Sequence, residues 1–229
     1  MTIFNGERLE TELFQLDRER MADGWYSDVY FRNIARILTE LSEEGYQFKE
    51  QDIGNIEVEM QIFPRRQPFC ILGGIDEALS ILKTAAGYKN EDGEFVNTSS
   101  ELEVEACHDG EKAYYKGNPH NVDPVIKIRG RYRDFSILET PMLGSLTEAS
   151  RIATNVYEVM VAARGKDILF FPARFTHYKS QAMHGYAYSL GVNAYNTEYG
   201  TNTQRFISTD EQGAWWGGKG GGTISHSYV

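Results

Sequence analysis

The pattern of the chain changes within residues 125–146, which read VIKIRGRYRDFSILETPMLGSL. The apolar residues at the start of this stretch predict a strand, and the residues after that strand predict two successive helices, over 134–146 and 147–163. Before the stretch, the sequence favours strands that alternate in polarity; after it, helices alternate with a continuous apolar run. We therefore predict an N-terminal domain over 1–127 and a second domain over 128–229.

The N-terminal domain combines amphipathic helices with half-buried strands. Helices are predicted over 27–41 and 74–86, where apolar residues recur at helical spacing. Strands are predicted over 56–62, over 102–106 and from residue 125, where apolar residues occupy every second position. Strands with one polar face are typical of antiparallel sheets, so we expect an α+β domain.

The second domain has the order of an α/β unit. Residues 168–171 (ILFF) form a continuous apolar run, which predicts a strand buried on both faces. A helix is predicted over 176–190 and a short strand over 222–225. Helices that alternate with a buried strand indicate the first part of an α/β architecture.

The composition disfavours several classes of protein. The chain has 229 residues, with 23 Lys and Arg against 33 Asp and Glu, and a formal net charge of −10. Nucleic-acid binding is disfavoured because its affinity comes from cationic contacts with phosphates. No apolar stretch reaches the roughly 20 residues that a membrane span needs, and residues 1–10 lack the apolar core of a secretion signal. Cys70 and Cys107 have no metal-ligand spacing and fit reduced thiols, so we expect a cytoplasmic location and no metal site formed by the chain.

Three residues could carry chemistry, each with a structural alternative. Arg174 follows the apolar run at 168–171, and strand ends of this kind bind ligands in α/β folds; the alternative is an ion pair that only supports the fold. His226 could act as a base, an acid or a nucleophile that accepts a phosphoryl group; the alternative is a hydrogen-bonded surface histidine. Tyr30, on the first turn of the helix over 27–41, could stack on a planar ring or could belong to the core.

Taken in order, the motifs of the chain resemble those of the nicotinate phosphoribosyltransferase family, whose members are type II phosphoribosyltransferases. The matching segments are 27–31 (SDVYF), 73–79 (GGIDEAL), 128–135 (IRGRYRDF), 138–143 (LETPML), 149–154 (ASRIAT), 171–174 (FPAR) and 222–227 (GTISHS). The resemblance implies an α/β protein, in which an N-terminal domain with an antiparallel sheet precedes an irregular α/β barrel. The second half of that barrel has no counterpart in this sequence, so the barrel would be incomplete.

The resemblance also implies a reaction and a set of site residues. Nicotinate attacks C1 of phosphoribosyl pyrophosphate, giving nicotinate mononucleotide and pyrophosphate, a step of NAD biosynthesis, and Mg²⁺ neutralises the pyrophosphate. Family members also couple the transfer to ATP, as a facultative cofactor, through a phosphorylated histidine in a Gly-Thr-x-x-His motif, which falls on Thr223 and His226. The pyridine ring is held between Phe171 and Tyr30, the tyrosine often coming from the partner subunit, and the first arginine of the strand motif is Arg174.

The sequence departs from the family at several points. The family's Phe-Gly-x-Arg-Arg reads FPARF at 171–175, so the second arginine is lost. The family's Gly-Thr-Ser-Asn loop corresponds to 193–197, which makes Asn196 a further substrate-binding candidate. We expect a homo- or hetero-oligomer in which a second chain supplies the rest of the barrel. Two alternatives stay open: a non-catalytic relative that binds a pyridine ligand, and a phosphoribosyltransferase for nicotinamide or another base.

Overall fold

The computed structural model describes residues 7–222, 224 and 226–228. Within them, the α-helices are α1 (Arg18–Ala22), α2 (Val29–Glu43), α3 (Ile75–Ala85), α4 (Tyr132–Phe135), α5 (Glu139–Ala162) and α6 (Gln181–Tyr199). The strands are β1 (Gln47–Phe48), β2 (Gln51–Asp52), β3 (Glu57–Ile62), β4 (Phe69–Ile71), β5 (Gly87–Lys89), β6 (Phe95–Asn97), β7 (Glu103–Ala106), β8 (Lys112–Tyr114), β9 (Ile126–Arg131), β10 (Ile168–Phe170) and β11 (Arg205–Ile207). In this part of the chain the sheets are open and no barrel closes, which confirms the predicted fold class.

An antiparallel sheet of three strands, in the order β3-β9-β7, forms the N-terminal layer. Ile128 of the central strand β9 pairs with Met60 of β3 on one side and with Val104 of β7 on the other. The strands predicted over 56–62 and 102–106 are confirmed as β3 and β7. In β3, alternation leaves the polar residues exposed and turns the apolar residues toward the core.

The first core lies between this sheet, helix α3 and the beginning of α5. Its largest fully buried members are Ile75, Ile81, Ile126, Ile128, Phe135, Leu138 and Met142. Each buried side chain of this size contributes about 2 kcal/mol through the hydrophobic effect. The helix predicted over 74–86 is confirmed as α3, and the helix predicted over 27–41 is confirmed as α2.

Helix α5 is continuous over 24 residues, so the prediction of two helices over 134–146 and 147–163 was wrong. Pro141 does not break it, because Pro141 lies in the first turn, where a helix needs no backbone N–H donor. The short helix α4 and a 3₁₀ turn at Ser136–Leu138 take the place of the predicted helix start.

The packing of the chain divides along α5 and not at residue 127. Leu146 belongs to the first core, and Ala149, one turn later, belongs to the second. A boundary at 127/128 would cut strand β9, which completes the antiparallel sheet. The local sequence pattern does not reveal this pairing, because β9 pairs with residues of β3 that precede their partners by up to 74 positions. The division into two domains stays a prediction.

The second core lies between α5, α6 and the pair β10–β11. Helices α5 and α6 approach closely at Gly191, where a Cβ atom would overlap the carbonyl oxygen of Ala153. The helix predicted over 176–190 lies further along the chain, as α6, because a turn and a 3₁₀ segment at Tyr178–Ser180 occupy the first part of the predicted range.

Strands β10 and β11 are parallel, with Ile168, Leu169 and Phe170 paired to Arg205, Phe206 and Ile207. The Tyr188 hydroxyl of α6 donates to the Ile168 carbonyl oxygen (2.8 Å) and accepts from the Phe206 N–H (2.9 Å). The prediction that residues 168–171 are buried on both faces was wrong, because α6 covers one face and leaves Leu169 57% exposed on the other. The run is apolar on both faces although only one is covered in this chain.

The glycine-rich segment continues this sheet. Gly220 forms an isolated parallel bridge with Ile207, and the Gly221 N–H donates to the Ile207 carbonyl oxygen (2.7 Å). The short strand predicted over 222–225 includes Thr223 and Ser225, which lie outside the described residues. Among the described helices, none is long and apolar enough to cross a membrane.

Candidate functional site

The carboxyl end of β10 presents an aromatic ring and a cation. Phe171, the residue after the strand, is 40% exposed, and a turn closed by the Phe175 N–H and the Pro172 carbonyl oxygen (2.8 Å) carries Arg174. Arg174 is exposed and makes no ion pair or hydrogen bond with the residues that the structure describes. The ion pair that was the structural alternative for Arg174 is therefore not formed with any described residue. The guanidinium is free to bind an anion.

Apolar side chains surround this strand end on the face opposite α6. Leu169 and its register partner Phe206 lie on that face together with Phe171, and all three are exposed. Phe170 points the other way and stacks on Tyr188, with ring centroids 4.7 Å apart. The exposed ring of Phe171 offers a planar ligand an aromatic surface, three positions before Arg174 in the sequence.

Tyr30 lies in a second cluster, where the start of α2 meets the start of α5. The Asp28 N–H donates to Thr140 Oγ1 (3.0 Å), and that hydroxyl donates to Asp28 Oδ2 (3.3 Å). Asp28 occupies the cap position of α2, but its side chain makes no capping bond and binds Thr140 instead. Tyr30 is 56% exposed, so it is not the core residue that the sequence left as an alternative.

The charges of this second cluster are coupled. Desolvation, followed by the fields of Asp28 and Glu139, raises the pKa of the Tyr30 hydroxyl. Desolvation and the charge of Asp28 also raise the pKa of Glu139. In the sequence, Glu139 and Thr140 stand out only as parts of a motif; their contact with the start of α2 joins residues 112 positions apart, which no local pattern shows.

The structure does not bring Tyr30 and Phe171 together within one chain. Helix α2 packs on α4 and the 3₁₀ turn that follows it, whereas β10 packs on β11 and belongs with the second core. In the described part of the chain, the ring of Tyr30 contacts Phe31. Phe170, which precedes Phe171, stacks on Tyr188. The two halves of the predicted ring slot are thus separate surfaces of the chain.

Asn196, a predicted substrate-binding residue, forms hydrogen bonds with the loop that follows α6. Its side-chain oxygen accepts from Thr201 Oγ1 (2.8 Å) and from the Thr203 N–H (2.9 Å), and its amide group donates to the Thr203 carbonyl oxygen (3.0 Å). These bonds brace the loop that precedes β11. Because β10 and β11 are parallel, this loop lies at the amino ends of the strands, whereas Phe171 follows the carboxyl end of β10. These three bonds leave one amide N–H of Asn196 without a partner among the described residues, and its contact with substrate stays a prediction.

The remaining predicted site residues, Thr223 and His226, lie in the last part of the chain, where only some residues are described. Thr223 lies outside the described residues. His226 begins a 3₁₀ turn, His226–Tyr228, but its side chain is also outside the description. Their roles remain predictions from the sequence.

A half-buried acidic group that sequence reasoning missed lies beside a cavity of about 430 Å³. Asp109 accepts from the Ile75 N–H (2.8 Å) and from the Tyr186 hydroxyl (3.3 Å), and so caps helix α3. Asp76, which is next to this group, forms an ion pair with Arg8 (2.8 Å). Burial and the charge of Asp76 raise the pKa of Asp109 to about 7. The His108-Asp109-Gly110 turn was visible in the sequence, but the burial of its carboxyl was not.

The described residues contain no group of three His, Cys, Asp or Glu side chains that could hold a metal ion. The thiols of Cys70 and Cys107 are free, and burial raises the pKa of the Cys70 thiol to about 11, so it is a poor nucleophile at neutral pH.

The chain belongs to a family of phosphoribosyltransferases. Residues 28–150 match the model of the quinolinate phosphoribosyl transferase N-terminal domain, which covers more than half of the chain. This match includes Tyr30, Glu139 and Thr140 and ends within α5, where the packing passes from the first core to the second.

Solved structures share the fold over nearly the whole chain. The nicotinate-nucleotide pyrophosphorylase from Pyrococcus furiosus aligns with a TM-score of 0.63 and 23% identity, over 93% of this chain and 44% of that chain. Human nicotinic acid phosphoribosyltransferase aligns with a TM-score of 0.60 and 18% identity, over 88% of this chain and 40% of that chain. The chain thus spans less than half the length of either structure, and at these identities the likeness shows the fold alone. A search of curated proteins by sequence found no match.

Proposed function

We propose that the chain takes part in phosphoribosyl transfer to a pyridine carboxylate, with nicotinate as the acceptor. In this reaction the pyridine nitrogen forms a bond to C1 of phosphoribosyl pyrophosphate, and the bond from C1 to the pyrophosphate oxygen breaks. The products are nicotinate mononucleotide and pyrophosphate. The observation that carries the proposal is the exposed Arg174 guanidinium, which forms no ion pair with the described residues. It lies three positions after the exposed ring of Phe171, at the carboxyl end of β10 in a chain of this family.

The proposed acceptor fits the chemistry of that strand end. Arg174 binds the carboxylate through charge-assisted hydrogen bonds, and Phe171 stacks on one face of the pyridine. Tyr30 would cover the other face from a second copy of the chain, because Tyr30 and Phe171 belong to separate surfaces of one copy. Holding the nitrogen in line with C1 supplies much of the catalysis through positioning.

The second reactant needs groups that the described residues do not supply. The leaving pyrophosphate is a polyanion, and Mg²⁺ would neutralise it; the described residues do not fit a magnesium site of their own, so no step is assigned to that ion. ATP coupling through a phosphorylated His226 is proposed from the resemblance of 222–227 to the family motif. The exposed face of Leu169, Phe171 and Phe206 supports a further polypeptide that completes the barrel, because isolated sheet faces of this kind are normally covered.

One observation favours a different base as the second candidate. Where the family has a second arginine, this chain has Phe175, which is 86% exposed. A site with one arginine and an additional apolar ring binds a singly charged or neutral pyridine better than a dicarboxylate such as quinolinate. Nicotinamide, which is neutral, or another base is therefore the alternative acceptor.

The test is a substrate panel with isolated and completed protein. The chain is assayed alone and with a polypeptide that supplies the second half of the barrel, using phosphoribosyl pyrophosphate, Mg²⁺ and nicotinate, nicotinamide or quinolinate. We expect mononucleotide and pyrophosphate to form from nicotinate in the completed protein. Binding of nicotinate with no product from any base would instead show a non-catalytic pyridine-binding relative.

Two variants separate the roles of the site residues. Arg174→Gln is expected to raise the KM for nicotinate at least about tenfold while kcat changes little, since it removes a contact present in both ground and transition states. His226→Ala is expected to abolish the ATP dependence while leaving basal transfer. An unchanged KM for Arg174→Gln, or loss of all transfer in His226→Ala, would refute the corresponding assignment.

A further inference from the structure

A groove of about 770 Å³ runs between the edge strand β3 and helix α5, and none of residues 168–175 lines it. Its floor is apolar and includes Met60, Ile62, Leu143 and Leu146, and its rim carries three arginines, Arg65, Arg66 and Arg151. The proposed reaction assigns no role to this groove.

The dimensions of the groove suit an extended chain. It is lined by residues of α5 from Glu139 to Arg151, which share one face of the helix. At 1.5 Å per residue these positions span about 18 Å. An extended peptide rises about 3.3 Å per residue, so five or six residues fill this length.

The edge of β3 offers unpaired backbone groups along the groove. The carbonyl oxygens of Ile56 and Ile62 accept from the N–H groups of Tyr132 and Val125, which flank β9. The backbone N–H and C=O groups of the even-numbered residues of β3 therefore point toward β9. The backbone groups of Glu59 and Gln61 therefore point outward, and no described residue binds them. A free strand edge of this kind is a template for a further strand.

The charges at the rim select for acidic groups. Arg66 is already paired with Glu158 (2.7 Å) and bonded to Asn155 (2.8 Å). Arg65 and Arg151 are exposed and form no ion pair with any described residue. Two guanidiniums without a carboxylate partner beside one groove stand out in a chain whose formal net charge is −10.

We propose that this groove binds an extended acidic segment of a partner polypeptide, which adds a fourth strand to the sheet along β3. Backbone hydrogen bonds to Glu59 and Gln61 hold the segment in register. Every second side chain of the segment is apolar and packs on Met60, Ile62 and the facing residues of α5. Carboxylates of the segment bind Arg65 and Arg151.

The probe is a panel of fluorescein-labelled hexapeptides with Val, Ile or Leu at alternate positions, Thr between them, and two Asp or Glu residues at either end. Binding is measured by fluorescence anisotropy with the full chain. We expect at least one acidic peptide to bind, and its counterpart with Lys in place of the acids to bind at least tenfold more weakly. A copy that is N-methylated at the positions facing β3 should lose binding, because it cannot pair with the strand.

Variants of the chain locate the site. Arg65→Gln and Arg151→Gln should each weaken binding of the acidic peptide about tenfold. The matched control is Arg164→Gln, which changes an exposed arginine outside the groove that forms no ion pair with the described residues and should leave peptide binding unchanged. Gln61→Pro removes an outward N–H without touching the pairing with β9, and should abolish binding; the N-methylated peptide makes the same test if this variant unfolds.

Three results would overturn the proposal. The first is that no peptide of the panel binds with a Kd below about 1 mM, and the second is that acidic and basic peptides bind equally. The third is that 2-naphthoate, a small aromatic carboxylate, binds the groove and competes with the peptide while N-methylation has no effect. That last result would assign the groove to a small anion, and none of the three bears on phosphoribosyl transfer at Arg174.

Discussion

Replacing Asp109 by asparagine should stabilise the protein above pH 7 and leave it nearly unchanged near pH 4. The native pKa of Asp109 is raised to about 7 from an ordinary value of 3.8, by burial and by the charge of Asp76. Between these two pH values the native state keeps a proton that the unfolded state releases. Stability therefore falls as pH rises through this window and stays low above it. Asparagine carries no charge, and its oxygen can still accept from the Ile75 N–H.

The size of the effect follows from the difference in pKa. A difference of about three units corresponds to about 4 kcal/mol, at 1.36 kcal/mol per unit. This value is a ceiling, because Asp109 is half-buried and faces the cavity of about 430 Å³, where water screens its charge. We expect Asp109→Asn to raise the free energy of unfolding at pH 8 by about 2 kcal/mol.

The assay is urea denaturation of both proteins at several pH values from 4 to 8, followed by circular dichroism. Asp134→Asn is the contrasting control, because Asp134 is buried but accepts from Arg131 (2.7 Å) and Thr98 (2.8 Å). That variant leaves a charge without its partner and should lose about 3 kcal/mol. If the difference between Asp109→Asn and the parent chain is the same at pH 5 and pH 8, burial does not raise the pKa of Asp109 and the reasoning is wrong.

Two further predictions concern helix packing. Gly191→Ala should lower the free energy of unfolding by about 2 kcal/mol, because its Cβ would overlap the Ala153 carbonyl oxygen; Gly144→Ala, in a helical position with no atom near the new Cβ, should raise it by up to about 1 kcal/mol. Equal effects of the two changes in urea denaturation would contradict the close approach of α5 and α6. Thr154→Val should cost about 2 kcal/mol, because the buried Ile71 N–H loses its acceptor at 2.9 Å; a thermal midpoint within about 1 °C of the parent chain would argue against that bond.

The sequence predicted the elements whose periodicity is local. Helices α2 and α3 and strands β3 and β7 follow from apolar residues repeated at 3.6 or 2 positions, and a core on one side preserves that pattern. The prediction of two helices, divided between residues 146 and 147, was wrong, because α5 is continuous. Pro141 and Gly144 are residue types that often end a helix, but neither ends α5. Proline in the first helical turn costs no hydrogen bond, and nothing in the sequence states where that turn begins.

The candidate site was predictable only where residues are close in sequence. The run from Phe171 to Arg174 gives a strand end with a cation, and the structure confirms both the strand and the exposure of the guanidinium. The contact of Thr140 with Asp28 depends on tertiary packing. The use of the Asn196 amide in bracing a loop depends on the loop's path, and neither leaves a trace in local periodicity.

Helix α5 runs through both hydrophobic cores, and this has a thermodynamic consequence. If one core unfolded alone, half of α5 would lose the residues that it packs against. We therefore expect the described chain to unfold in one cooperative transition. A ligand that binds at Arg174 then stabilises the distant antiparallel sheet as well, by RT ln(1 + L/Kd), where L is the concentration of free ligand. Protection of the β9 amides from hydrogen exchange would report occupancy of the strand end at β10.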